Sequence, residues 1–131
     1  MLLESYSIEE TKSSAYKIAQ KAVKGDIFCL EGELVAGKTS LSQGFAKGLG
    51  ITDYITSPTF TIINFYESNI PLYHFDVYRI EDIDEMYEIG YEEYFFGDGI
   101  CLVEWSNLIE ELIPNKAIKI IITKDLEKGE D

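Results

Sequence analysis

Basic residues are scarce in this sequence. Its 131 residues include 11 Lys and Arg against 24 Asp and Glu, which gives a formal net charge of −13. Proteins bind nucleic-acid backbones by placing clusters of Lys and Arg against the phosphates, and this chain has no such cluster. Eleven acidic residues and no Lys or Arg fall between residues 80 and 115. We therefore do not expect direct binding of nucleic acid, and the acidic segment is either a solvated face or a docking face for a basic partner.

Long hydrophobic runs, cysteine patterns of metal sites and a secretion signal are also absent. The longest apolar runs, such as residues 100–103 and 120–122, are far shorter than the ~20 residues that cross a bilayer. The first ten residues lack a basic segment followed by an apolar one, so we expect a cytoplasmic protein with no membrane contact. Cys29 and Cys101 each lie in an apolar run and are expected to be buried, reduced thiols. The lone His74 is expected to be a strand side chain and not a catalytic base.

Hydrophobic periodicity predicts one α/β domain spanning residues 1–131. Helical spacing covers residues 8–24, a second helix that stops near Gly48, and a third from about Asp82 to Gly90, with a short helix at 107–112. Strands are predicted in "DIFCLEG", "GICLVEW" and "AIKIIIT", and an antiparallel hairpin in "FTIINFYE" and "IPLYHFDVYR". The expected fold is a P-loop NTPase-like, mainly parallel sheet flanked by helices, with the hairpin inserted.

The segment between the first predicted strand and the second helix has the spacing G-x-x-x-x-G-K-[ST], formed by Gly32, Gly37, Lys38 and Thr39. In such a phosphate-binding loop, successive backbone N–H groups and the helix N-terminus surround an anion. Lys38 would reach the β and γ phosphates and the Thr39 hydroxyl would bind Mg²⁺. A glycine-rich turn with a surface lysine is the alternative. The predicted nucleotide-binding residues of this loop are Gly32, Leu34, Val35, Ala36, Gly37, Lys38, Thr39 and Ser40.

Two acidic residues are candidates for a second function at the phosphates. Glu104 follows four apolar residues in "ICLVEW", where a strand end supplies the second Mg²⁺ ligand in such folds, and the alternative is an exposed glutamate at the rim. Asp76 lies among aromatics in "HFDVYR" and either orients the attacking water, or a magnesium-bound water, or pairs with Arg79. Arg79 is the only arginine, whereas small-molecule kinases clamp the moving phosphoryl group with several. A slow or partner-dependent ATPase therefore fits better than a kinase.

The loop, "SPTF", "HFDVYR" and "ICLVEW" occur in the order found in TsaE, a family of small bacterial P-loop ATPases of tRNA threonylcarbamoyladenosine biosynthesis, and the chain resembles that family over residues 5–123. The resemblance implies binding and weak hydrolysis of ATP with Mg²⁺, stimulated by the partner proteins TsaB and TsaD. These partners modify position 37 of tRNA, so the chain would meet tRNA only through the complex.

Site residues follow from the same resemblance. It implies that Lys38, Thr39 and Glu104 hold phosphates and Mg²⁺, and that Asp76 and Thr59 act beside the γ phosphate. Thr11, in "EET", would lie near the nucleobase and Trp105 near the rim of the site. Turn and core roles are the alternatives for Thr59 and Trp105.

Val35 is a departure from the family pattern, which usually has glycine there. A β-branched residue resists positive φ, so the resemblance supports ATP binding more strongly than ATP hydrolysis. A non-catalytic module that docks partners according to its nucleotide is therefore the main alternative function, and a small-molecule kinase is a weaker one.

Overall fold

The structure, a computed structural model, describes residues 2–4, 8–32, 35–52 and 62–123, with side chains over 9–31, 40–52 and 62–121. The strands are β1 (Leu2–Glu4), β2 (Ile27–Gly32), β3 (Ile63–Tyr66), β4 (Leu72–Asp76), β5 (Ile100–Glu104) and β6 (Ile118–Thr123). The helices are α1 (Ile8–Gln20), α2 (Val35–Gly48), α3 (Asp84–Glu88) and α4 (Tyr91–Phe95), with a 3₁₀ helix at Ser106–Leu112.

The six strands form one sheet in the order β1-β6-β2-β5-β4-β3. Every neighbouring pair is parallel except β3 and β4, which form an antiparallel hairpin. The hairpin needs only a short connection, whereas parallel neighbours need crossovers, which the helices supply here. The predicted α/β fold with a mainly parallel sheet and an inserted hairpin is confirmed.

Two hydrophobic layers cover the two faces of the sheet. Because side chains alternate along a strand, Phe28 and Leu30 of β2 pack with α1 and α2, while Cys29 between them faces the other layer. The first layer includes Leu41, Phe45, Leu72 and Leu102, and the second includes Phe75, Met86, Phe95, Val103 and Ile109. Among the described residues, the helices that cover the second layer are α3, α4 and the 3₁₀ helix.

Helices α1 and α2 pack with their backbones nearly in contact. A Cβ built on Gly44 would lie 2.4 Å from the carbonyl oxygen of Lys12, and one built on Gly48 would lie 2.5 Å from that of Tyr16. Since these glycines are one helical turn apart, they form a single contact line along α2. Because Gly44 and Gly48 have no side chains, α2 can pack this closely on α1, and this contact fixes the position of α2 after β2.

Several element boundaries differ from those predicted. Helix α1 ends at Gln20 and not near residue 24, because the N–H of Val23 donates to the Asp26 carboxylate in a turn. Gly90, with φ of 70°, ends α3 and precedes a separate helix, α4, which the periodicity did not reveal. Strand β1 was also not predicted, since its three residues are too short to show a pattern. No helix in the described part of the chain is long and apolar enough to cross a membrane.

Candidate functional site

Three parallel strands end at the same edge of the sheet, where the predicted loop begins. Gly32, Glu104 and Asp76 are the last residues of β2, β5 and β4. In the register of these strands, Glu104 pairs with Leu30 on one side and with Asp76 on the other. Ligands of open parallel sheets bind at the carboxyl ends of the strands, so both predicted carboxylates lie where such a ligand would bind.

The N-terminus of α2 lies at this same edge. The helix begins at Val35, three residues after β2 ends at Gly32, and its first five residues run to Thr39. Its free N–H groups and the positive end of its dipole favour an anion at this end. Helical residues have φ near −63°, which a β-branched residue adopts, so the backbone at Val35 does not require the glycine of the family pattern.

The carboxylates point to the side of the sheet that carries α2. Leu72 and Leu102 belong to the layer against α1 and α2, and alternation along β4 and β5 puts His74, Asp76 and Glu104 on the same face. Acidic side chains, a helix N-terminus and the end of β2 therefore meet on one side of one sheet edge.

Glu104 is buried and bound to a histidine. Its Oε2 lies 2.6 Å from Nε2 of His74, and the two residues are 6% and 1% exposed. Within the described part of the chain, the buried His74 Nδ1 has no hydrogen-bonding partner. His74 is a strand residue as predicted, but its contact with Glu104 was missed. The only signal in the sequence is the alternation that places His74 and Asp76 on one face of a strand.

Asp76 is half-buried, and its Oδ1 accepts a hydrogen bond of 3.1 Å from the backbone N–H of Tyr78. Burial raises the pKa of the Asp76 carboxyl above its ordinary value, the Tyr78 N–H opposes this, and the charge of Glu104 adds to it. Arg79 has the weakest of these effects and lowers the pKa. The environment therefore favours a carboxyl that accepts protons more readily than an exposed one.

The remaining predicted residues occupy different positions. Thr11 and Ser40 are buried, in α1 and α2 respectively. Leu34 and Thr59 lie outside the described residues, and the side chains of residues 35–39 are outside them too. Trp105 directly follows Glu104 with a left-handed backbone (φ 64°), and its half-buried ring contacts Tyr78 at 4.7 Å between centroids, with the rings tilted by 45°. It therefore lies beside the site and also packs on the second hydrophobic layer.

The donor set fits magnesium better than a transition metal. No three His, Cys, Asp or Glu side chains converge on one metal position among the residues that the structure describes. Mg²⁺ at a nucleotide takes only one or two protein oxygens and completes its shell with phosphates and water. A carboxylate oxygen of Glu104 and the predicted Thr39 hydroxyl are ligands of that kind.

Comparisons with known proteins point to one family. The family model described as "Threonylcarbamoyl adenosine biosynthesis protein TsaE" matches residues 5–130. The TsaE protein of Bacillus subtilis is 53% identical over 117 residues, covering 88% of this chain and 73% of that protein. The TsaE protein of Treponema pallidum is 36% identical over 116 residues, covering 88% and 86%. A crystal structure of Bacillus subtilis YdiB superposes with a TM-score of 0.72 at 44% identity, covering 97% of this chain and 76% of that one.

Proposed function

The chain belongs to the TsaE family of tRNA threonylcarbamoyladenosine biosynthesis, and we propose that within this pathway it binds and hydrolyses ATP with Mg²⁺. One observation carries the proposal: the N-terminus of α2, Glu104 and Asp76 meet at one edge and on one face of the sheet. The helix N-terminus favours an anion and the two neighbouring carboxylates favour a cation, and a nucleotide with Mg²⁺ supplies both charges.

Each group has a specific task in this proposal. The backbone N–H groups at the start of α2 and the Lys38 ammonium hold the β and γ phosphates. The Thr39 hydroxyl and Glu104 hold Mg²⁺, which neutralises charge on the phosphate oxygens. Ser40 and Thr11 support the loop and the base side of the site, as the family resemblance implies.

Asp76 is proposed to act on the attacking water. It lies next to Glu104 in register, so it is close to the metal side of the phosphates without sharing the backbone of the loop. Its raised pKa suits a group that accepts a hydrogen bond from water as the new P–O bond forms. Thr59, which lies outside the described residues, is proposed to contact the γ phosphate beside it.

Partner proteins complete the site in this proposal. Fast P-loop ATPases stabilise the transferring phosphoryl group with arginine, and this chain has only Arg79. We infer weak turnover by the chain alone and faster turnover with TsaB and TsaD. The excess of acidic residues fits a subunit that leaves contact with tRNA to those partners.

Nucleotide titration with and without Mg²⁺ tests the proposal. Wild type is compared with Lys38→Ala, with Glu104→Gln and with Lys47→Ala, which removes an exposed lysine from the same helix. We expect Lys38→Ala to weaken ATP binding at least 10-fold, Glu104→Gln to reduce the effect of Mg²⁺, and Lys47→Ala to change neither. Binding of ATP that is equal in all four proteins would contradict the proposal.

Turnover separates the ATPase from the alternative module that docks partners according to its nucleotide. With TsaB and TsaD present, hydrolysis by wild type should exceed that by Lys38→Ala by about 10²-fold or more. Equal rates with intact ATP binding would favour the non-catalytic module. Transfer of labelled phosphate to a nucleoside or sugar would favour a kinase.

A further inference from the structure

The only histidine of the chain is buried against the proposed magnesium ligand, and neither the P-loop nor the proposed hydrolysis step uses it. The distance of 2.6 Å from Nε2 to the Glu104 carboxylate is that of a charge-assisted hydrogen bond. His74 itself is fixed by β4, by its near-complete burial and by Leu102 opposite it on β5. A rigid donor therefore contacts one oxygen of a side chain that otherwise has three rotatable bonds.

The hydrogen-bond pattern also defines which nitrogen carries the proton. Nδ1 is buried and has no partner among the described residues, whereas Nε2 faces a carboxylate oxygen. A proton on Nε2 satisfies this arrangement, because a proton on Nδ1 would be a buried donor without an acceptor. His74 then donates one hydrogen bond to Glu104.

We propose that His74 is a positioning residue for Glu104. Its Nε2–H holds Oε2, so that Oε1 is directed to the Mg²⁺ of the bound nucleotide. This inference rests on the proposed function, because it requires Glu104 to be a metal ligand. Carboxylates that bind metals are themselves held by hydrogen bonds, and loss of such a bond typically reduces metal affinity 10–100-fold.

Two substitutions with side chains of equal length separate the effect of the hydrogen bond from the effect of packing. His74→Gln keeps an N–H donor at nearly the place of Nε2, whereas His74→Met fills similar space without a donor. The quantity to compare is the ratio of ATP affinity with Mg²⁺ to that without it. We expect wild type and His74→Gln to have similar ratios, and His74→Met to have a ratio 10–100-fold smaller with unchanged metal-free affinity.

A second measurement needs no variant. Because the chain has one histidine, its imidazole ¹⁵N resonances are assigned without ambiguity. In the free protein they should show a hydrogen-bonded proton on Nε2 and none on Nδ1, and adding Mg²⁺ with a non-hydrolysable ATP analogue should keep that pattern. This measurement also decides the question if His74→Met does not fold.

The outcomes are distinct. An unchanged or larger magnesium ratio in His74→Met, a proton on Nδ1, or loss of the Nε2 hydrogen bond on nucleotide binding would each overturn the positioning role. If wild type itself shows no magnesium effect, Glu104 is not a ligand and the proposed function fails first. A tautomer protonated at Nε2 would then identify the contact as structural only, which also overturns the inference.

Discussion

Asp76 and Glu104 lie directly opposite each other as the last residues of neighbouring parallel strands. Burial raises the pKa of Asp76, and the charge of Glu104 raises it further. Two carboxylates in such positions destabilise a fold unless a cation or a ligand compensates them. The pair therefore lowers the stability of the fold, and we expect such residues to have a function.

Substituting Asp76 by Asn should stabilise the protein and impair hydrolysis. A carboxyl with a raised pKa in the folded state opposes folding once it ionises. The resulting loss of stability is absent below the pKa of the unfolded state and complete above the pKa of the folded state. At pH 7 we expect Asp76→Asn to raise the free energy of unfolding by no more than about 1 kcal/mol, because the group is partly exposed and screened. We expect turnover with the partners to fall about 10²-fold.

Asp82→Asn is the matched control for this substitution. Asp82 accepts a backbone hydrogen bond from the residue two positions ahead, at 3.0 Å, as Asp76 does at 3.1 Å, but it is exposed and is not paired with Glu104 in the sheet. Its removal should change stability by less than about 0.5 kcal/mol and leave turnover intact. Asp76→Asn that destabilises the protein, or hydrolyses ATP at the normal rate, would contradict the role given to Asp76.

Substituting Gly44 by Ala should separate α1 from α2. Alanine is the better helix former by about 1 kcal/mol, so the intrinsic effect alone would stabilise the protein. The added Cβ meets the Lys12 carbonyl at 2.4 Å, and backbone cannot yield as a side chain can. We expect a net loss of about 1–3 kcal/mol in urea unfolding, together with weaker ATP binding because α2 begins within the proposed phosphate loop. Lys47→Ala is the control on the same helix, and an equal or more stable Gly44→Ala would show that the helices are farther apart.

Local pattern in the sequence was sufficient to propose the site residues that depend on one segment. Gly32 ends a buried strand, Gly37 and Lys38 lie in the first turn of the helix that follows it, and Glu104 ends an apolar run. The contact of His74 with Glu104 joins residues 30 positions apart. It depends on β4 pairing with β5, which no local pattern encodes.

Short elements set a similar limit for the fold. The third helix was predicted from about Asp82 to Gly90, but α3 has five residues and buries only Met86. A five-residue helix shows little more than one turn, so its periodicity cannot define a face. The long helices α1 and α2, with several turns each, were predicted correctly.

The single tryptophan should report nucleotide binding. Trp105 follows Glu104 and its ring contacts Tyr78 at 4.7 Å between centroids, so a shift of Glu104 toward a metal alters the surroundings of the indole. We expect a saturable change in intrinsic fluorescence when ATP and Mg²⁺ are added together. In Glu104→Gln the magnesium-dependent part of the change should be lost. Tyr78→Leu removes the aromatic ring beside Trp105, so it should alter the spectrum of the free protein and keep the fluorescence change on nucleotide binding. A fluorescence change that is the same with and without Mg²⁺ would contradict the coupling of Trp105 to the metal.

The two buried thiols should make the protein less stable at alkaline pH. Cys29 and Cys101 are free and buried, as predicted, and burial raises the pKa of Cys29 to about 11 and of Cys101 to about 12. Below the thiol pKa of the unfolded chain, about 8.5, ionisation of the thiols costs the fold nothing. As pH rises from there toward the folded pKa values, the free energy of unfolding falls. Between these limits each thiol lowers the free energy of unfolding by about 1.4 kcal/mol per pH unit.

Urea unfolding from pH 7.5 to 10 measures this slope. By pH 10 each thiol should account for a loss of about 2 kcal/mol, and Cys101→Ala should show a correspondingly shallower decline. The cavity that Cys101→Ala creates lowers stability equally at every pH, so the slope isolates ionisation from packing. Burial also raises the pKa of Tyr91, but its unfolded value near 10 keeps its contribution above this range. Because only thiolates react with Ellman's reagent, labelling of the native protein at pH 8 should be limited by unfolding. A wild-type slope equal to that of the variant would show that Cys101 is not shielded from solvent.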